Sequence, residues 1–582
     1  MATHRYSSDS STGRQASVID FIATAPFGIC ALVFAHLDNC HLKALRLTCK
    51  KLAHLVSPHL RFNRVFISAS PLDVQVFRAI AEHDIFRHKV REIVWDDARY
   101  EKPPPDFVTF EGEYDDECVY ADEYLDDLEE DDDDGPERIP RSVPIWFFIR
   151  CKENIDYLEE RRDNDVKTLP QHVETFQQLN ALLPLDVAYA HNQELLKQQE
   201  QVLSTSADIA AFEWALEKDR FPCLNRITLT PAAHGILFKP LYPTPAIRAL
   251  PYGFNYPLPR SWPASKDEEG AGYKMWDREE EKDKWRGFRH VVRIIAQQRS
   301  ATSKITELIF DGNQIHSGLT CGILHAPEPC VEYDHLAAVI KKPGFTTLRL
   351  NLMICGADNN NYLAFRNGRM KQMLEADLQH FTLETDEDGS LGQEPQPPNA
   401  TRDHFIPLRS IFPVEAWKNL VHFGLSRFLV KQQDLLDFLA VLPQTLRSVE
   451  LSFLMFMRNN GDYRGLLFHV RDDLGWQRRA IRPRLLIRDW IDRILGGRAI
   501  WLENELQEFL YNEGGNPYVR RQAMITGGRS GEGPTKPIVQ DGFGMQRDEF
   551  EPRFERPFVS ERQLVWLGIL ENRFGEYLNL LP

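Results

Sequence analysis

The sequence predicts an α/β chain, in which a small N-terminal helical module precedes an irregular series of short strands that alternate with helices. Three observations predict it. Residues 25–68 are dense in apolar side chains at helical spacing, opened by Pro26 and closed near Pro58. A frame of apolar residues at positions one, four and six recurs seven times: Val90-Ile93-Trp95, Leu224-Ile227-Leu229, Ile305-Leu308-Phe310, Phe345-Leu348-Leu350, Leu378-Phe381-Leu383, Leu420-Phe423-Leu425 and Leu446-Val449-Leu451. Helical periods lie between the frames, at 279–298, 333–341 and 431–442. A stretch of period two followed by one of period 3.6 marks a strand and then a helix.

Taken in order, residues 1–20 are expected to be a disordered tail, because they offer little apolar surface to offset the entropy of ordering. The module spans 21–68. Ile29, Val33 and Leu37 form one stripe with Cys30 and Phe34 beside it; Leu42, Leu45, Cys49 and Leu52 form a second, which Leu55, Val56 and Leu60 continue. The first helix is apolar nearly all the way round, yet a unit of about forty residues cannot bury so much surface alone. Its excess calls for another surface, and another chain is the preferred one.

Residues 69–100 read as a connecting helix, with Val74, Phe77, Ile80 and Ala81 on one side, followed by the first repeat strand. Residues 101–142 are expected to be a disordered acidic insertion: fifteen carboxylates fall between Glu111 and Asp134, too dense a charge for a packed core. Residues 143–457 hold the repeats. Within them, 238–262 is so rich in proline that regular helix and central strand are excluded, which predicts a loop packed across the repeats by its Tyr, Phe and Trp side chains. Residues 458–582 are expected to form a helical cap with a glycine-rich linker. In it, Leu485, Leu486, Trp490, Ile491, Ile494 and Leu495 read as one helix, with arginines paired to Asp489 and Asp492.

Composition narrows the function. The chain has 582 residues, 43% hydrophobic, and a net charge of −16 that the acidic run nearly accounts for. Nucleic-acid binding is announced by a basic face, which is absent from this pattern. No run approaches the roughly 20 apolar residues of a membrane span. Nine scattered cysteines without a CxxC pair argue for a reducing compartment, cytoplasmic or nuclear. Cys30, Cys40 and Cys49, with His36 and His41 nearby, lack the paired spacing of structural zinc sites, so no metal and no cofactor are expected. GGRSGEGPTK at 527–536 lacks the lysine and hydroxyl that must follow the last glycine of a phosphate loop. No nucleophile elbow, zinc-protease or kinase signature occurs, and His380 and His422 read as contact residues; the chain is expected not to be an enzyme.

The module resembles the F-box, with Pro26, Ile29, Cys30, Val33, Phe34, Leu37, Leu42, Leu45, Arg46, Leu47, Cys49, Lys50, Leu52, Pro58, Leu60, Val65 and Ser68 at matching places and departures at Ala25, Gly28 and His41. The frames resemble irregular leucine-rich repeats, with Asn313 at a ninth position. Together they are similar to the F-box leucine-rich-repeat proteins of filamentous fungi. The resemblance implies an adaptor of a Skp1-cullin-F-box ubiquitin ligase. Pro26, Ile29, Cys30, Val33, Phe34, Leu37, Leu42, Leu45, Leu52 and Pro58 would meet the Skp1-like linker. Residues between the buried leucines, namely Arg226, Thr228, Glu307, Arg349, Asn351, His380, Thr382, His422, Glu450 and Ser452, would face a protein substrate. The alternative is a stand-alone repeat scaffold with no ligase role.

Overall fold

The computed structural model describes residues 26–102, 140, 142–164, 175, 177–263, 275–298, 304–312, 317–326, 329–354, 363–387, 405–490, 498–520, 532–534 and 539–541. The expected disordered tail, nearly all of the acidic insertion, Asn313 and the last forty or so residues lie outside them.

Three helices open the described chain: α1 (Phe27–Ala35), α2 (Asn39–Thr48) and α3 (Lys50–Val56). They close around a small core of their own, made of Cys30, Phe34, Leu42, Leu52, Val56 and Leu60. The turn between α1 and α2 is pinned from the far end of the module. Arg61 donates from its guanidinium to the Ala35 carbonyl at 2.6 Å, and Asn39 exchanges two hydrogen bonds with the Arg61 backbone at 2.7 and 2.8 Å. Lys89 ties the module to the sheet by donating to the Leu60 carbonyl at 2.9 Å, and Phe62 packs on Phe86 at 4.2 Å between ring centroids.

The rest is mixed α/β around a twelve-stranded sheet. Nine strands form its spine in chain order: β1 (Arg64–Ile67), β2 (Glu92–Asp96), β3 (Arg226–Thr230), β4 (Glu307–Phe310), β5 (Thr347–Met353), β6 (His380–Thr385), β7 (His422–Ser426), β8 (Ser448–Ser452) and β9 (Arg484–Trp490). Every pairing along this spine is parallel, and a short strand at Leu319–Thr320 pairs parallel with β5. Arg498–Leu502 and Val539–Asp541 add antiparallel strands at the far edge. The order along the spine never reverses, so it contains no switch point of the kind at which open α/β sheets bind cofactors.

The register explains why the seven frames recur. Val65, Ile93, Ile227, Leu308, Leu348, Phe381, Phe423, Val449 and Leu485 stand side by side across all nine spine strands, and none is more than 1% exposed. Each contributes roughly 1.5–3 kcal/mol by leaving water. They face the connecting helices, which bury their apolar stripes on this side: α4 (Pro71–Glu82) with Val74 and Phe77, α7 (Ala207–Glu217) with Phe212, α8 (Arg286–Gln297) with Phe288, Val291, Val292 and Ile295, α9 (Val331–Ile340) with Leu336 and Val339, α10 (Gln432–Ala440) with Leu435 and Phe438, α11 (Tyr463–Asp472) with Leu466 and Val470, and α12 (Asn504–Tyr511) with Leu506 and Phe509. A buried bidentate pair, Arg286 to Asp208 at 2.6 and 2.9 Å, locks α8 to α7. A satellite core joins α5 (Ile145–Asn164) and α6 (Leu185–Thr205) to Ile236, Leu237, Phe254 and Tyr256.

Two expectations are corrected. Residues 484–490 are a strand, not a helix, because Leu485 and Ile487 alternate with Arg484, Leu486 and Arg488, a period of two that the helical reading overlooks. The arginine there pairs across strands with Glu450, and Asp489 accepts instead from the Tyr518 hydroxyl at 3.0 Å. The module also ends earlier than 68, since Arg64–Ile67 already belongs to the sheet.

Candidate functional site

Two surfaces bring the sequence candidates together. The first is on the helical module. Helix α1 reads FGICALVFA, with no charged side chain and no side-chain hydrogen-bonding group stronger than a thiol, so no orientation hides it completely. Cys30 and Phe34 take the interior, and Ile29, Leu32 and Val33 are left 49%, 68% and 43% exposed. Leu47 on α2 is 85% exposed. Of the ten residues expected to meet a partner, Pro26, Ile29, Val33 and Pro58 are exposed and Leu37 and Leu45 half-buried. Cys30, Phe34, Leu42 and Leu52 are buried inside the module and hold its shape. Leu32 escapes the sequence reading although it borders the stripe, three residues after Ile29 on the same side of the helix; its presence in an all-apolar helix is the available signal.

The second surface is the sheet face turned away from the helices. Here the candidate residues are neighbours in register: Arg226 beside Glu307, Arg349 beside Thr382, Asn351 beside Glu384, His380 beside His422, and Ser452 beside Ser426. Over β1 to β3 the chain covers this face itself. Leu241, Tyr242, Ala232 and Ala233 pack on Val94 and Phe66, and the Tyr242 hydroxyl donates to Asp311 at 2.5 Å. Trp262 donates to Asp97 at 2.8 Å, and the proline-aromatic segment is not loop throughout: a helical turn forms at Pro245–Arg248, capped by Thr244, because proline is tolerated at the first helical position. Thr228 is consequently buried, donating to Glu92 at 2.5 Å, while Arg226 and Glu307 are half-buried and paired with each other.

From β5 to β9 the face is a mesh of paired polar groups. Arg349 reaches Glu384 at 3.4 Å, and Ser452 donates to Glu450 at 3.0 Å. The Arg488 guanidinium also pairs with Glu450. Burial alone would raise the Glu450 carboxyl, but the charges of Arg488, His422 and Arg349 override it and hold it at about 2. The His422 ring lies between two hydroxyls, Ser448 at 2.8 Å on Nδ1 and Thr382 at 3.3 Å on Nε2, and stacks beside His380. Burial lowers His422 to about 4, against the pull of Glu450. No carboxylate hydrogen-bonds this ring among the described residues, so the Ser448–His422 contact lacks the orienting third group of an activated nucleophile. Arg349 Nε, Asn351 Oδ1 and Ser426 Oγ are buried without a hydrogen-bond partner among the described residues.

On the helix side, an open groove of about 630 Å³ is lined by Trp276, Arg289, His290, Cys330 and His335. Its Arg289 is already paired, with Glu279 at 2.7 Å and Glu332 at 3.1 Å. The seven described cysteines form no disulfide, and no described helix is long and apolar enough to cross a membrane. One metal-ligating group occurs among the described residues, Asp38 with Cys40 and His41. No protein-family model matches the chain, and no curated protein is detectably similar to it.

Proposed function

We propose that the chain is a non-catalytic substrate receptor of a Skp1-cullin-F-box ubiquitin ligase, acting in the cytoplasm or nucleus. Its N-terminal helices are the F-box that docks on a Skp1-like linker. The spine of the sheet is an irregular leucine-rich-repeat solenoid, and its outer face receives a protein substrate.

One observation carries the reading. A module with six core residues keeps Ile29, Leu32, Val33 and Leu47 in water although nine spine strands with their helices lie next to it in the chain. Exposed apolar groups gathered on one small unit mark an interaction site, and covering them by a partner is worth on the order of 1 kcal/mol or more per side chain. The solenoid reading is supported by the chain-ordered parallel spine and by the frame residues standing in one register. The substrate is proposed to meet β5–β9 at the residues of that face that keep some exposure, Arg349, His380, Thr382 and His422. Mixed charge there suits a protein better than a lipid or a nucleic acid.

The test is capture of purified Skp1 by the full chain. Wild type is expected to bind, and a Leu32→Asp, Leu47→Asp double variant to lose binding while keeping its thermal midpoint, since both side chains are exposed. Failure of wild type to bind, or undiminished binding by the double variant, defeats the proposal.

A further inference from the structure

We infer that Asp38, Cys40 and His41 form a binding site for a tetrahedral divalent metal, with Zn²⁺ the ion it fits best, at the rim of the exposed apolar face. Zn–S bonds of about 2.3 Å and Zn–N or Zn–O bonds of about 2.0–2.1 Å, set at the tetrahedral angle, require a sulfur–nitrogen edge of about 3.6 Å and a nitrogen–oxygen edge of about 3.4 Å. In the structure Cys40 Sγ lies 3.6 Å from His41 Nδ1, and His41 Nδ1 lies 3.7 Å from Asp38 Oδ2. All three ligand atoms fall within 4.8 Å of one another. The two edges that meet at His41 Nδ1 match those of a tetrahedral site to within about 0.3 Å.

The backbone that carries the ligands is already fixed. Asn39, between Asp38 and Cys40, is held by its two hydrogen bonds to the Arg61 backbone, and Arg61 in turn clamps the end of α1. One thiolate, one imidazole and one carboxylate suit Zn²⁺ rather than Mg²⁺ or Ca²⁺, which prefer oxygen alone. The positive end of the α2 dipole opposes a cation, but two anionic ligands neutralise Zn²⁺, so the helix faces an uncharged centre. Three protein ligands leave a fourth position open to water or to a partner's side chain. Cys40 and Leu47 are seven residues apart on α2, two turns along one face, so the metal would lie about 10 Å along the helix from the exposed Leu47. The signal in the sequence is the tight Asp-x-Cys-His spacing, which a search confined to cysteine and histidine passes over.

The experiment titrates untagged, metal-free full-length protein with Co²⁺ alone. Binding of about one equivalent at micromolar concentration is expected, with the visible bands of tetrahedral cobalt and a sulfur-to-cobalt charge-transfer band, both displaced by Zn²⁺. Cys40→Ser should abolish the charge-transfer band, and His41→Ala should weaken binding at least about tenfold. Cys49→Ser, in the same module, should change neither. Cys40 and His41 are exposed, so circular dichroism of the variants should match wild type. Absence of the charge-transfer band in wild type, its persistence in Cys40→Ser, or binding only at millimolar Co²⁺ would overturn the assignment. None of these readouts depends on Skp1.

Discussion

Glu450 and Arg488 are both more than nine-tenths buried, and each is a charge partner of the other. Arg488→Met would strand the carboxylate and cost about 3 kcal/mol, the low end for a broken buried pair because Arg349 and His422 also face it. Urea unfolding measures this, and adding Glu450→Gln should recover most of the loss. His422 makes a pH prediction. Its folded value of about 4 lies below the ordinary 6.5, so the unfolded chain binds more protons between the two. Stability is therefore lost as pH falls from 6.5 to 4, with this one ring contributing up to about 1.4 kcal/mol per pH unit. His422→Gln should flatten the slope by that share, leaving the parts due to His290 and His234, which burial also lowers, to about 4 and about 3. Gly287 tests close packing: a Cβ there would lie 2.3 Å from Trp95 Nε1, so Gly287→Ala should destabilise by about 1–3 kcal/mol in the same assay.

At the scale of elements, the module and the sheet have separate cores, and substitutions should separate them too. Leu32→Asp should leave the unfolding free energy within about 0.5 kcal/mol of wild type, as surface changes do. Leu42→Asp places a charge in the module core and should render residues 26–60 protease-sensitive while the sheet remains resistant. A scan with limited digestion and mass spectrometry distinguishes the two. The elements also show what the sequence can reveal. The seven frames are strands because each puts two buried residues on one face, and that alternation is visible in one dimension. β1 is hidden because Val65 and Ser68 also match places in the helical module, and β9 because Leu485, Leu486 and Trp490 also satisfy a helical period. Short apolar runs do not distinguish the two periods.

Across the whole molecule, each spine strand touches only its neighbours, so stability should propagate along the sheet from one strand to the next. This arrangement leaves one sheet face for contacts and one end for the helical module. The identities of the face residues are legible from the frames, but their pairing is not: that Arg226 answers Glu307, or that the chain's own loop covers Thr228, depends on which strands become neighbours. Exposure of Leu32 is equally invisible in one dimension, since an all-apolar helix does not announce which side it buries. Hydrogen exchange of the full chain, alone and with saturating Skp1, tests the central claim most directly. Slowed exchange confined to residues 27–56, with the strands from β2 onward unchanged, is the expected result; unaltered exchange through α1 and α2 would contradict it.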